Sequence, residues 1–126
     1  MTNKITEKIK IGTLGELLVQ IRFLEHDVQA APPRNDSGND LIAVKGKSFR
    51  AVQVKTTTKA NFDRSKLPKS FDILAAVHLV AGEDTIYLDE SSIFLIPCDQ
   101  VKEVSTNFEE LEDFMMTRDH VSELFK

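Results

Sequence analysis

The chain has no tryptophan, one tyrosine, one cysteine, four prolines and five glycines in 126 residues. A single thiol, Cys98, excludes an intrachain disulfide and a cysteine-built zinc site. Cys98 follows Ile93-Phe94-Leu95-Ile96-Pro97 and reads as a structural thiol at a strand end. With phenylalanines and the tyrosine placed singly, there is no aromatic platform on which single-stranded bases would stack. No apolar run approaches the length of a membrane span, and Lys4, Glu7, Lys8 and Lys10 break up what would be a secretory leader. A cytoplasmic protein with no membrane partner is expected. No glycine-rich loop leads into Lys-Ser or Lys-Thr, so a P-loop is excluded. His26, His78 and His120 are dispersed, His120 with Glu123 lacks a third ligand, and His78 reads as a core histidine within an apolar strand.

What is present is the composition of an ordinary folded domain, with 41% hydrophobic and 29% charged residues. One domain over residues 1–126 is expected, with a core at about 4–97 and an acidic helical segment at about 99–126. The net charge of -4 conceals a division: residues 1–70 carry +6 and residues 71–126 carry -10. Local fields rather than the total steer a polyanion, so the basic half is the candidate surface for one. The acidic half reads as solvated helix surface; a partner-binding tail, or one that guards the basic face, is the alternative.

Ile5, Ile9, Leu14, Leu17, Leu18, Ile21 and Leu24 recur at three- and four-residue steps and predict one long helix from Lys4 to Asp27. Gly12 and Gly15 inside it each cost about 1 kcal/mol against alanine, which points to a close approach of the helix backbone to a sheet. The helix stops before Ala31-Pro32-Pro33, and Val28–Ala31 reads as a short first strand. The polar turn Arg34–Asn39 precedes a strand at Asp40–Val44, and Lys45-Gly46-Lys47 turns into a second arm at Phe49–Thr56. Period-two alternation puts Val52 and Val54 on one face of that arm and Ala51, Gln53 and Lys55 on the other. Thr57–Ser70 reads as a basic loop with at most one helical turn, and Phe71–Val80 as a strand buried on both faces. Two short strands at Thr85–Leu88 and Ser92–Pro97, then one short and one longer helix, complete a mixed α/β layer.

Chemistry concentrates between Gly12 and Lys55. A carboxylate (Glu16) lies on the first helix, a second (Asp40) opens a strand, and Gln53-x-Lys55 occupies one face of the next strand. Each feature alone reads as solvated surface or a turn cap; their order raises the reading to a site. A hard cation such as Mg2+, with Mn2+ as substitute, accepts a few carboxyl or amide oxygens on rigid elements. Glu16, Asp40, the Gln53 amide oxygen and the Val54 carbonyl are the expected ligands, and Lys55 would hold a water or neutralise charge on a phosphate. Arg34, Ser37, Lys45, Lys47, Arg50, Lys59, Arg64, Lys66 and Lys69 are the expected phosphate contacts.

The segments Gly12–Glu16, Ser37–Val44 and Ala51–Thr56 resemble the PD-(D/E)xK nuclease superfamily, in particular Holliday-junction resolvases and compact intron-encoded homing endonucleases. The resemblance implies a restriction-endonuclease-like α-β-β-β-α-β core with a central mixed sheet flanked by helices. It implies Mg2+-dependent hydrolysis of DNA, duplex or branched, by a homodimer or higher homo-oligomer, with Glu16, Asp40, Gln53 and Lys55 as catalytic residues. Asn39 stands where the family carries proline, a change expected to be harmless, and Gln53 where it carries Asp or Glu, which removes a charge from the metal site. The alternative is a nuclease-fold module without activity that binds DNA or a protein partner.

Overall fold

The computed structural model describes residues 6–34 and 39–126. Helix α1 spans Glu7–Glu25, opened by Thr6, whose hydroxyl accepts the Ile9 N–H at 3.2 Å. It ends before the prolines are reached: Asp27 adopts φ 64° and the Val28 N–H turns back to the Phe23 carbonyl at 2.9 Å. The strands follow as β1 (Gln29–Ala31), β2 (Leu41–Lys45), β3 (Ser48–Thr57), β4 (Ile73–Ala81) and β5 (Ile86–Pro97). They form one sheet in chain order, antiparallel except where β3 runs parallel to β4. The β2–β3 register, with Leu41 opposite Val52 and Lys45 opposite Ser48, is set by a two-residue turn whose first residue, Gly46, takes φ 60°.

The sheet has a core on each face. Val52, Val54, Ile73, Ala75, Val77, Ile93 and Leu95 pack against Leu18, Val19 and Phe23 of α1, together with Val121 and Phe125. Leu74, Ala76, Phe94 and Ile96 pack on the other face under Phe62, Val101, Phe108 and Leu111. Apolar residues at consecutive positions of β4 therefore reflect burial on both sides, as expected for a central strand.

One expectation holds against the resemblance and two change. The segment between β3 and β4 is a loop, as its composition indicates, and lacks the helix that the resemblance implies; a parallel pair needs a crossover, and here Phe62, Leu67 and Phe71 anchor an irregular one to the second core. The two predicted strands at 85–97 are one, because Ser91 bridges the irregularity at His78 and Val80, accepting the Val80 N–H at 3.0 Å and donating to the Tyr87 carbonyl at 2.9 Å. The acidic end is mostly short 3-10 turns at Cys98–Gln100, Phe108–Glu110 and Glu112–Phe114, with a single short helix, α2 (Arg118–Leu124). It is built into the body of the fold. It supplies Val101, Phe108 and Leu111 to one core and Val121 and Phe125 to the other, passing the β5 edge at Met115 and Met116. No helix among the described residues is long and apolar enough to cross a membrane.

Candidate metal and phosphate site

Gly15 sets the position of α1. A Cβ there would lie 1.8 Å from the Thr56 Oγ1, so only glycine lets the helix backbone settle onto the end of β3. Gly12 meets nothing comparable, and the predicted close approach holds at Gly15 alone. The next residue, Glu16, is thereby brought half-buried against Asp40. Burial first, then the charge of Asp40 and a hydrogen bond with its carboxyl group, push the Glu16 carboxyl above its ordinary value of 4.5.

Asp40 stands one residue before β2, where the β2–β3 ladder ends. Its Oδ2 accepts the Val54 N–H at 2.8 Å, replacing the ladder partner that β2 no longer provides. Backbone alternation fixes what lies next to it. The N–H and carbonyl of Ala51 face Asp72, on the β4 side, so those of Val54, three residues on, face the opposite edge beside Asp40. The Val54 carbonyl thus points the same way as the N–H that Asp40 accepts.

Gln53 and Lys55 lie on the face of β3 away from α1, opposite Leu74 and Ala76 of β4. The Gln53 Oε1 is buried and finds no hydrogen-bond partner among the described residues, which is costly for an amide oxygen unless something else satisfies it. Lys55 opens into a cleft of about 570 Å³ with Lys8, Gly12, Thr57, Lys59, Asn61 and Asp63. Ser65 donates its hydroxyl and N–H to Asp63 at 2.6 and 2.8 Å, and these bonds, helped by Lys55 and Lys66, hold the Asp63 carboxyl below its ordinary value. Among the described residues no three His, Cys, Asp or Glu side chains gather at one point. Glu16 and Asp40 therefore meet beside the Val54 carbonyl, whereas Gln53 lies on the other face of β3 and no contact among the described residues joins its amide oxygen to the two acids. Two carboxylates and a backbone carbonyl are oxygen donors of the kind a hard cation accepts while retaining water.

The predicted basic face does not hold together. Arg50 donates to the carbonyls of Leu124 and Lys126, both at 2.9 Å, and lies over the Phe125 ring, because it is on the α1 side of the sheet where the chain ends. Arg64 donates to the carbonyls of Val101 and Val104 at 3.1 and 2.7 Å and pins the crossover to the C-terminal segment. Both guanidinium groups are thus engaged with backbone carbonyls of the C-terminal segment. Lys45, near the His26 carbonyl, and Lys47 lie at the turn end of the β2–β3 hairpin, the end away from Asp40 and Lys55. Lys59 lines the cleft; Lys66, Lys69 and Arg34 are exposed; Ser37 lies outside the described residues.

Two contributors escaped the sequence reading. Lys8 comes to the cleft because α1 begins above the end of β3, and periodicity alone does not locate a helix over a sheet. Asn39 is more than a neutral stand-in for proline: its Nδ2 donates to the Ser70 carbonyl at 3.1 Å and ties the crossover to the approach of Asp40.

The fold so built is a mixed five-stranded sheet with α1 packed across β3, β1 and β4 on one face. A solved structure that shares it is that of a bacterial homing endonuclease, I-Ssp6803I, with a TM-score of 0.55 and 19% identity over 82% of this chain and 73% of that one. No protein-family model and no curated protein matches the sequence.

Proposed function

We propose that this chain is a divalent-metal-dependent endonuclease that hydrolyses DNA phosphodiester bonds. The observation that carries the reading is the meeting of Glu16 and Asp40 beside the Val54 carbonyl. Two carboxylates pressed together on separate elements repel unless a proton or a cation lies between them. Glu16, Asp40, the Val54 carbonyl and Gln53 Oε1 would hold Mg2+ or Mn2+, which when bound would neutralise a phosphate and make water a better nucleophile. Asp40 is oriented by the Val54 N–H, and Glu16 by the seat of Gly15 on Thr56. Lys55 presents an ammonium group in the cleft, suited to a phosphate oxygen as negative charge grows on it. Lys8 and Lys59 extend that positive potential along the cleft and would hold the neighbouring phosphates. The shared fold with a homing endonuclease supports DNA as the substrate.

The test is cleavage of plasmid and four-way-junction DNA with Mg2+ or Mn2+. Wild type should cut, and Asp40→Ala and Lys55→Ala should each lose about 100-fold or more. Equal cutting by all three ends the assignment. The second reading, a module that binds DNA or a protein without cutting, draws on the uncharged Gln53 and the absence of a third acid among the described residues. It predicts DNA affinity indifferent to Mg2+ and no metal bound at Asp40.

A further inference from the structure

Helix α1 is apolar on two opposite sides. Gly15, Leu18, Val19 and Phe23 are buried against the sheet. On the outer side Ile9, Leu17, Ile21 and Leu24 remain 59%, 48%, 55% and 62% exposed. At about 100° per residue, Leu17, Ile21 and Leu24 fall within about 60° of one another, with Ile9 about 80° to one side of Leu17. Single exposed aliphatic residues are ordinary, but four in one stripe along about 23 Å of helix mark a surface that meets something. No described residue covers them.

The charges along the stripe indicate the occupant. Lys10, in the first half of α1, and Glu25, its last residue, lie on the same side of Leu17, Lys10 about 20° away between Leu17 and Ile21 and Glu25 about 80° away beyond Ile21. When two identical helices pack antiparallel about a two-fold axis, like edges meet. Lys10 of one copy then faces Glu25 of the other, twice. The midpoint of Lys10 and Glu25 and the midpoint of Ile9 and Leu24 both fall within about one residue of Leu17, so one axis satisfies the charges and the apolar side chains together. In a parallel pair opposite edges meet at equal height, so Lys10 and Glu25 could not pair, and the helix dipoles would add rather than oppose. The bond from Arg22 to Glu25, at 3.1 Å, is exposed and leaves the carboxylate able to accept a second cation.

We propose that α1 is the interface of a symmetric homodimer, two copies of this chain packed antiparallel through Ile9, Leu17, Ile21 and Leu24 with crosswise Lys10–Glu25 pairs. A consequence rests on the nuclease reading: Glu16 borders the other edge of the stripe next to Leu17, so the axis sets both Glu16–Asp40 pairs on one side of the dimer, within reach of one duplex. The association itself does not depend on that reading.

The experiment is sedimentation velocity of the full chain over a micromolar concentration series at low salt, with circular dichroism of each variant. Wild type should sediment as a dimer, and Leu17→Glu with Ile21→Glu as a folded monomer. Lys10→Glu should weaken the dimer about tenfold, and Lys10→Glu combined with Glu25→Lys should recover it. A wild-type monomer throughout the series, a dimer that survives the double glutamate change, or a charge swap no better than Lys10→Glu alone would overturn the interface. A dimer that binds no metal and cuts no DNA would overturn the nuclease reading and leave the interface standing.

Discussion

At Gly15 the difference of one methyl group decides whether the candidate site exists. A side chain there would meet Thr56 Oγ1 at 1.8 Å and its Cβ at 2.7 Å, and the obstacle is a β-branched side chain held on a strand rather than a flexible tip. Gly15→Ala should therefore lower stability by about 1–3 kcal/mol in thermal or urea unfolding, despite its better helix propensity. Stabilisation by the change would mean that the close approach is absent. Glu16 gives a second prediction, from its raised pKa. A carboxyl group that binds its proton more tightly folded than unfolded favours the folded state while protonated. Stability should fall as the pH rises from the ordinary carboxylate range, 4.5, through the raised folded value, and the penalty is complete above it. Glu16→Gln should remove that pH dependence and, at neutral pH, unfold at a higher temperature than metal-free wild type. Mn2+ should raise the melting temperature of wild type and not of the variant. Identical pH profiles would show that Glu16 feels no such crowding.

Among the elements, the crossover from β3 to β4 and the C-terminal segment depend on each other. The Phe62 N–H donates to the Thr106 carbonyl at 3.0 Å and the Phe108 N–H to the Ala60 carbonyl at 3.1 Å, while Arg64 satisfies the carbonyls that end the turn at 101–104. His78 of β4 stacks on Phe108 at 4.5 Å, which is how a histidine in an apolar strand is accommodated. These contacts do the work a crossover helix performs elsewhere, covering the second face of the parallel pair. Arg64→Ala should cost about 1–3 kcal/mol and speed proteolysis between residues 58 and 72, and Arg50→Ala should loosen α2 by a similar amount. Neither should change the salt dependence of DNA binding. A loss of salt slope in either variant would return that arginine to the phosphate surface.

For the whole molecule, charge is distributed by position in the fold more than by position in the chain. Lys8, Lys55 and Lys59 share the cleft at the end of β3, whereas Lys45 and Lys47 are at the far end of the same hairpin. If a duplex lies along the cleft, Lys59→Ala should weaken binding regardless of sequence and reduce the slope of log K against log salt by about 1. Lys47→Ala should leave the slope unchanged. Equal effects at both ends would place the duplex along the hairpin instead.

Local pattern was enough to read the helix, the hairpin and the central strand, because helical and strand periods and the turn at Gly46 are properties of neighbouring residues. It also placed Gln53 and Lys55 on one face of β3 and singled out Glu16 and Asp40. Whether those two acids touch depends on how α1 lies across the sheet, and that is settled by a contact between residues far apart in sequence, Gly15 and Thr56. The contacts of Arg50 and Arg64 were equally hidden: the carbonyls they satisfy come from the last third of the chain, and only folding brings those acceptors within reach of the two guanidinium groups.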